Sequence, residues 1–425
     1  MSDSVIIVGS GVGGATLAKE LTSKGTDVSV LEAGAYPKIG TERNALNFYT
    51  GNMLGPGEFS KNNVEILRTK MVGGSSVVTI GNGVRALQNE FKTAGIDLEE
   101  WFKEAEHELK ITLCPESKRG ERTNLISKAS EELGYECKSM PKFIDFSKCA
   151  GCGNCNLGCV SGAKWTSRNY IGEAFKHGLK LKTNHEVVEV LHKGQEVIGV
   201  KVRTQDGVET IASDKVVLAA GGIGTPIILQ NSGIEAGSNL FADVLIDTFG
   251  VLNGASFKTE LDMAIIIDEF HDSEGYILSP YMEGPLDILT DRIPLIQRMN
   301  ARNTRKMIGI MTKIKDLPNG NVNADGSILK PIVEVDQMKL DKGFEKSKLI
   351  LDTIGVKSND IFKSHLRAAH PGGTARVGQV VNRELETEIS GLYVCDCSTF
   401  PDSPGMPPVL TIVALSKYLG NKFFE

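Results

Sequence analysis

Apolar positions along the chain alternate between short strand-like runs and helical stripes. Val5-Ile6-Ile7-Val8 is a continuous apolar run that reads as a buried strand. It leads into Gly9-Ser10-Gly11-Val12-Gly13-Gly14, and then a helical stripe puts Leu17, Ala18 and Leu21 on one face. A second apolar strand over residues 28–31 ends in Glu32. The stretch from there to about residue 68, with Gly51, Gly55, Pro56 and Gly57, is loop-like. Residues 98–110 and 122–134 read as amphipathic helices with solvated acidic faces. A β-rich course follows. Residues 179–182 form a short strand, and 185–191 pairs with 197–204 as a hairpin around Lys193-Gly194. Residues 214–220 form a buried parallel strand ending in small residues, with a helix expected to start at Thr225 as cap and Pro226 at its first position. From about 240 to 362 the pattern becomes α+β: strands at 264–268, 308–314 and 332–335, and a helix over about 338–353. The end returns to the opening style, with a strand over 391–398 and an apolar helix opening at Pro407-Pro408. No repeat or low-complexity linker separates these textures, so the units are expected to interleave.

Composition narrows the partners. Hydrophobic content of 41% and charged content of 24% are those of a globular chain. A net charge of −6 and the lack of a basic, aromatic-studded stripe exclude nucleic acid as the expected partner. No apolar run approaches ~18 residues, so no membrane span is expected. The first strand begins at about residue 4, leaving no secretory leader, and a cytoplasmic location is expected.

The candidate chemistry sits in three places. In the opening stretch Gly9 permits a tight turn, Gly11 admits a pyrophosphate to the backbone, and Gly14 lets helix and strand pack closely. Glu32, at the tip of the second strand, is placed to accept the hydroxyls of an adenosine ribose. Together they predict a dinucleotide site. Gly73-Gly74-Ser75-Ser76 can lie flat against a ligand, or can simply be a tight turn before a helix. The third place is Cys149-x2-Cys152-x2-Cys155-x3-Cys159, the spacing of an iron–sulfur ferredoxin run, with Val160 where proline is usual. Structural zinc and free thiols are the other readings. In two-cluster ferredoxins the fourth cysteine serves the other cluster, so Cys114 or Cys137 stands as a substitute for Cys159. Cys395 and Cys397 alternate on an apolar strand and read as small core residues.

These segments, together with residues 216–226, 370–378 and 392–412, resemble the glucose–methanol–choline (GMC) oxidoreductases over nearly the whole chain. The resemblance implies an α/β FAD-binding Rossmann-like fold of GMC type, with an interleaved α+β substrate domain and a Cys-rich cluster-binding insert. The implied boundaries are 1–110, 166–238 and 365–425 for the FAD-binding domain, 111–165 for the helical, Cys-rich iron–sulfur insert, and 239–364 for the substrate domain. FAD is the implied cofactor. It would be held by Gly9, Ser10, Gly11, Val12, Gly13, Gly14, Glu32 and Ala33 at the ADP half and by Val187 at adenine. Gly73, Gly74, Ser75, Asn82, Ala220, Gly221, Asp396, Cys397 and Pro408 complete the implied set. His370 matches the family's catalytic base. Its usual asparagine or histidine partner is replaced by Pro407 and Pro408, which carry no side-chain donor or acceptor.

The cysteines resemble a subset of dehydrogenases with an iron–sulfur cluster. Cys149, Cys155 and Cys159 reproduce a three-iron spacing, and Cys152 makes four iron sites available, so 4Fe-4S is favoured over 3Fe-4S. The expected function is therefore oxidation of an alcohol-type small molecule by hydride transfer to flavin, with electrons passed to a ferredoxin-like carrier protein. Because the chain is short for the family, a partner subunit could complete the pocket. Two alternatives stand: a reductase running the other way on an alkene or carbonyl, and a non-catalytic electron-transfer subunit.

Overall fold

The computed structural model describes residues 4–40, 44, 48–51, 57–282 and 304–424. Gly55 and Pro56 of the loop-like stretch lie outside the described residues. The apolar run forms β1 (Ser4–Val8), followed by α1 (Val12–Ser23) and β2 (Asp27–Glu32). Further on come β3 (Glu65–Ile66), α2 (Glu99–Glu108) and α3 (Glu121–Glu132), then β4 (Lys180–Thr183). The hairpin course is β5 (Glu186–Lys193), β6 (Glu196–Thr204) and β7 (Gly207–Ala212). After β8 (Lys215–Leu218) and α4 (Gly221–Asn231) come β9 (Val244–Val251), β10 (Tyr276–Pro280) and β11 (Met307–Ile314). The chain closes with α5 (Glu334–Ile354), β12 (Ile361–Lys363), β13 (Arg367–Ala368), β14 (Leu392–Val394) and α6 (Val409–Lys422).

The first layer is a five-stranded parallel sheet in the order β14-β8-β1-β2-β4. β1 runs down its middle, with Ile7 opposite both Val217 and Val30, so its apolar residues are covered on both faces. Leu17, Ala18 and Leu21 of α1 and much of α6 bury into the same core. β5, β6 and β7 form a separate antiparallel sheet beside it. The second core lies under a six-stranded sheet, β10-β11-β9-β13-β3, with β12 also paired to β9. This is the interleaved α/β plus α+β arrangement expected. No helix among the described residues is long and apolar enough to cross a membrane.

The structure departs from the local readings at two points. α4 starts at Gly221, so Pro226 lies inside it and Thr225 is no cap. The carbonyl that Pro226 cannot bond, Gly222 O, instead accepts from Thr374 Oγ1 at 2.8 Å. Residues 332–335 form no strand; they lead into α5, which runs from 334 to 354 rather than 338 to 353. α3 packs on the substrate layer. Arg122 donates to Met307 O, Lys258 O and Thr304 O there.

Candidate active site

β1 delivers the glycine loop to one end of a cavity of about 920 Å³. Gly9 has φ +99°, and a Cβ there would meet Ala219 O at 2.5 Å. A Cβ on Gly14 would sit 2.0 Å from Gly9 O, while one on Gly11 would meet nothing within 4 Å. Thus Gly14 fixes helix against strand, and Gly11 leaves open space over which a phosphate can pass. Glu32 is buried at the tip of β2. Its Oε2 accepts from Ser10 N (3.0 Å) and Ser10 Oγ (2.6 Å), and its Oε1 from Gly34 N (2.8 Å). Burial pushes its carboxyl up, against these hydrogen bonds. The orphan-free carboxylate still has lone pairs for a diol.

Gly9, Ser10, Gly11, Val12, Gly13, Glu32 and Ala33 line the cavity together with Val187, Ala220 and Gly221. So do Gly74, Ser75, Asn82, Asp396, Cys397, Pro407, Pro408 and His370. Gly14 and Gly73 do not, and their parts are structural. Gly73 turns at φ +96° and donates to Ser10 Oγ (3.0 Å), and its carbonyl accepts from Ser76 Oγ and Ser167 Oγ at 2.6 and 2.7 Å. Asp396, in the loop after β14, accepts from Gly221 N (2.8 Å), Thr225 Oγ1 (2.6 Å) and Ser398 N (2.7 Å), which ties that loop to the start of α4. Cys395 is buried in the core and burial pushes its thiol up to about 12, whereas Cys397 faces the cavity. The extended lining, with its open glycine and acidic tip, fits a dinucleotide.

At the other end stands His370. Residues 241–242 pair antiparallel with 370–372: His370 N donates to Ala242 O (3.1 Å), Gly372 N to Phe241 O (3.0 Å) and Phe241 N to Gly372 O (3.1 Å). This stitching sets Asp243 opposite the ring, where its Oδ2 lies 2.9 Å from His370 Nδ1. A carboxylate accepts, so Nδ1 carries the proton and Nε2 is left as an acceptor. Asp243 Oδ1 takes Ser403 Oγ and Gly405 N, both at 2.9 Å. Burial, then the neighbouring Lys313 charge, pull the imidazole below its usual 6.5, while Asp243 opposes them. Asp243 and Lys313 were not legible as site residues. Asp243 lies in no motif, but Lys313 is the one charged residue in a mostly apolar strand, a signal that could have marked it.

The cysteines lie behind the cavity, with Asn156 and Leu157 of their loop on its wall. Cys155 is buried and packs in one cluster with Cys114, Cys149 and Cys159, while Cys152 is exposed and outside it. Burial pushes Cys155 up to about 11; at Cys159 burial is outweighed by Ser161, Lys164 N and Ala163 N, which lower it. Among the described residues no three cysteine sulfurs lie within 4.8 Å of one another, so the cysteines form no clear metal or cluster site in this arrangement. Lys142 and Lys164 are buried alongside. Lys142 Nζ donates to Ile80 O, Asn82 Oδ1 and Asp262 O, and Lys164 Nζ to Val77 O, Thr79 O and Cys155 O. Burial lowers both ammoniums to about 8, and the facing thiols raise them.

Comparison with known proteins agrees with this geometry. Residues 3–245 and 313–416 match the N- and C-terminal family models described as GMC oxidoreductase. An uncharacterised protein of Methanocaldococcus jannaschii is 32% identical over 414 residues, covering 97% of each chain. A long-chain-alcohol oxidase of Arabidopsis thaliana is 23% identical over 510 residues, covering 98% of this chain and 67% of its own. Among solved structures, pyridoxine 4-oxidase from Mesorbium loti superposes with a TM-score of 0.72 at 15% identity, covering 99% of each chain, a likeness of fold. With both ends of the chain matched and the cavity running from glycine loop to histidine, the protein belongs to the GMC oxidoreductase family of FAD-dependent enzymes that act on alcohol-type substrates.

Proposed function

We propose that the protein is an FAD-dependent dehydrogenase that oxidises an alcohol-type small molecule and passes the electrons through an iron–sulfur cluster to a ferredoxin-like carrier protein. The observation that carries the chemistry is the His370–Asp243 contact on the wall of the nucleotide cavity. With Nδ1 committed to Asp243, Nε2 takes the proton of a substrate hydroxyl, and the ring becomes an imidazolium that Asp243 stabilises. FAD, when bound, supplies the two-electron hydride acceptor. The glycine loop, Glu32 and Val187 would hold its ADP half, and Gly74, Ser75, Asn82 and Pro408 would border its ring.

The cluster reading is supported by charge. Lys142 and Lys164 are buried, and neither forms an ion pair with a carboxylate among the described residues. Thiolates bound to iron would supply negative charge to both cations, beside the buried Asp262 carboxyl that already acts on Lys142. Cys149, Cys155 and Cys159 would be ligands, and Cys114, which packs with them, is better placed as the fourth than exposed Cys152. The residues that hold the two lysines, Thr79, Ile80 and Asn82, also line the cavity, so cluster and flavin would be neighbours. An oxygen-labile centre of this kind suits a reducing cytoplasm.

Iron and sulfide analysis with electron paramagnetic resonance on anaerobically purified protein tests the cluster; a lack of iron would remove the relay and leave a flavin enzyme. Anaerobic photometry with a panel of alcohols tests the reaction. Bleaching of the flavin by an alcohol is expected. Bleaching only by a reduced carrier, with colour restored by an unsaturated acceptor, would reverse the direction.

A further inference from the structure

Five lysines are buried among the described residues: Lys142, Lys164, Lys313, Lys330 and Lys417. Four have their ammonium accounted for. Lys142 and Lys164 are held as above; Lys330 bonds Leu317 O (2.7 Å), Asn319 Oδ1 (2.8 Å) and Asp316 Oδ2 (2.9 Å). Lys417 meets Glu20, Glu104 and Glu108 at 2.7–2.8 Å. Lys313 is the exception. It is 2% exposed, and no described residue hydrogen-bonds or ion-pairs with its Nζ, yet it lines the cavity. Its side chain is buried but its ammonium has no partner among the described residues and opens only onto the cavity, so whatever occupies the cavity there must answer its charge.

Its position identifies the ligand. Lys313 stands on β11 opposite Leu245 of β9, on the sheet face that walls the cavity, and its charge acts on His370. Both groups therefore address one region. Pro407 and Pro408, also on that wall, offer no donor. We propose that Lys313 is the second catalytic group of this site, its ammonium donating to the substrate oxygen while His370 takes the hydroxyl proton. The proposal rests on the alcohol-oxidation reading. In the step the substrate O–H bond breaks, the proton goes to His370 Nε2, and the electron pair stays on oxygen against Lys313 Nζ. The carbonyl then forms as the C–H bond breaks, its two electrons leaving with the hydrogen as hydride for the FAD. Lys313 keeps its proton throughout.

The protonation states agree with these roles. Burial brings Lys313 down to about 8, with Asp243 holding it up, and His370 is pulled below 6.5. Other ionisable groups lining the cavity toward this end are Asp247 and Arg367, which face each other at 3.6 Å, Glu65 and His365, which meet at 2.8 Å, Tyr281, and Cys397, which donates to Pro371 O; Asp316 and Lys330 lie behind Asp243. Neutral base and charged donor thus coexist between the two titrations, and activity should fall as pH rises through about 8.

The test uses FAD-loaded protein, wild type, Lys313→Met and Lys313→Arg, with an alcohol that bleaches the wild-type flavin. In anaerobic single turnovers Lys313→Met should slow bleaching ~100-fold or more with little change in substrate affinity. Lys313→Arg should keep a measurable rate and move the alkaline limb upward, since arginine stays charged. Trifluoroethanol, an acidic alcohol, gives a readout without turnover: its binding, followed by flavin absorbance, should weaken above pH 8 in the wild type and at every pH in Lys313→Met. A wild-type rate in the Met variant, an unmoved alkaline limb in the Arg variant, or a loss confined to the affinity of carboxylate-bearing substrates would each overturn the proposal. The last outcome would make Lys313 an anion anchor. Should the Met variant fail to fold, the Arg profile and the wild-type trifluoroethanol titration decide. If no alcohol bleaches the wild type, the alcohol reading fails, while the trifluoroethanol titration still reports on Lys313.

Discussion

Replacing Asp243 by asparagine changes one atom and should disable the base. Asp243 Oδ1 is claimed by the Ser403 hydroxyl and the Gly405 N–H, and Oδ2 faces His370 Nδ1. In Asp243→Asn the amide oxygen stays with the two donors, so the NH2 group turns to the ring. Nδ1 must then accept, which puts the imidazole proton on Nε2, where the substrate hydroxyl needs a lone pair. The wrong tautomer in such a dyad costs on the order of 10³–10⁴ in rate, about 4–5 kcal/mol in barrier. Asp243 has φ +49°, a conformation asparagine also tolerates, so the variant should fold and hold its flavin. The assay is the anaerobic rate of flavin bleaching by alcohol, with thermal melting and flavin content as controls. A loss of less than ~10-fold in a folded, flavin-loaded variant would refute the reasoning, because His370 would then not depend on Asp243 for its tautomer.

Other substitutions separate packing from binding. Gly14→Ala drives a Cβ to 2.0 Å from Gly9 O, so it should cost ~1–3 kcal/mol and melt early; Gly11→Ala points into open space and should keep its melting temperature while losing flavin. Equal flavin retention in both would contradict the loop's assigned parts. Glu108 is half-buried; although burial raises its carboxyl, Lys19, Lys417 and Tyr170 bring it from 4.5 to about 2. Its folded value is depressed, so its contribution is full above pH ~4.5 and is lost as pH falls toward 2. It is worth at most about 3 kcal/mol, and about half that with solvent screening. Lys417→Met should remove part of it, leaving the share due to Lys19 and Tyr170, and bring the melting curves of the two proteins closer together as the solution is acidified; a constant gap from pH 7 to 3 would count against it. Cys155→Ser and Cys114→Ser should abolish bound iron while Cys152→Ser retains it, read by iron analysis.

The opening unit was legible because its signals are local. An apolar run, three spaced glycines, a helical stripe and an acid at a strand tip each report on a few neighbouring residues, and β1, α1, β2 and Glu32 lie where those signals put them. The start of α4 was misread for the opposite reason. Pro226 and Thr225 look like a first turn, but Thr374, 152 residues from Gly222, supplies the donor that lets the helix begin earlier. The cysteine spacing likewise named four neighbours in sequence, whereas packing gathered Cys114 with three of them and left Cys152 in solvent.

The sequence by itself determined the strand–glycine–helix–strand unit and the family likeness, from which His370 is proposed as base, since periodicity and residue type are carried by each short segment. Only the tertiary structure decided which groups act on that histidine. Asp243 reaches it because residues 241–242 pair with 370–372, and the charge of Lys313 is felt there because β11 lies beside β9 with Lys313 opposite Leu245. The protonation states were decided there too, because a charge responds to burial and to neighbours within a few ångströms, and chain order fixes neither.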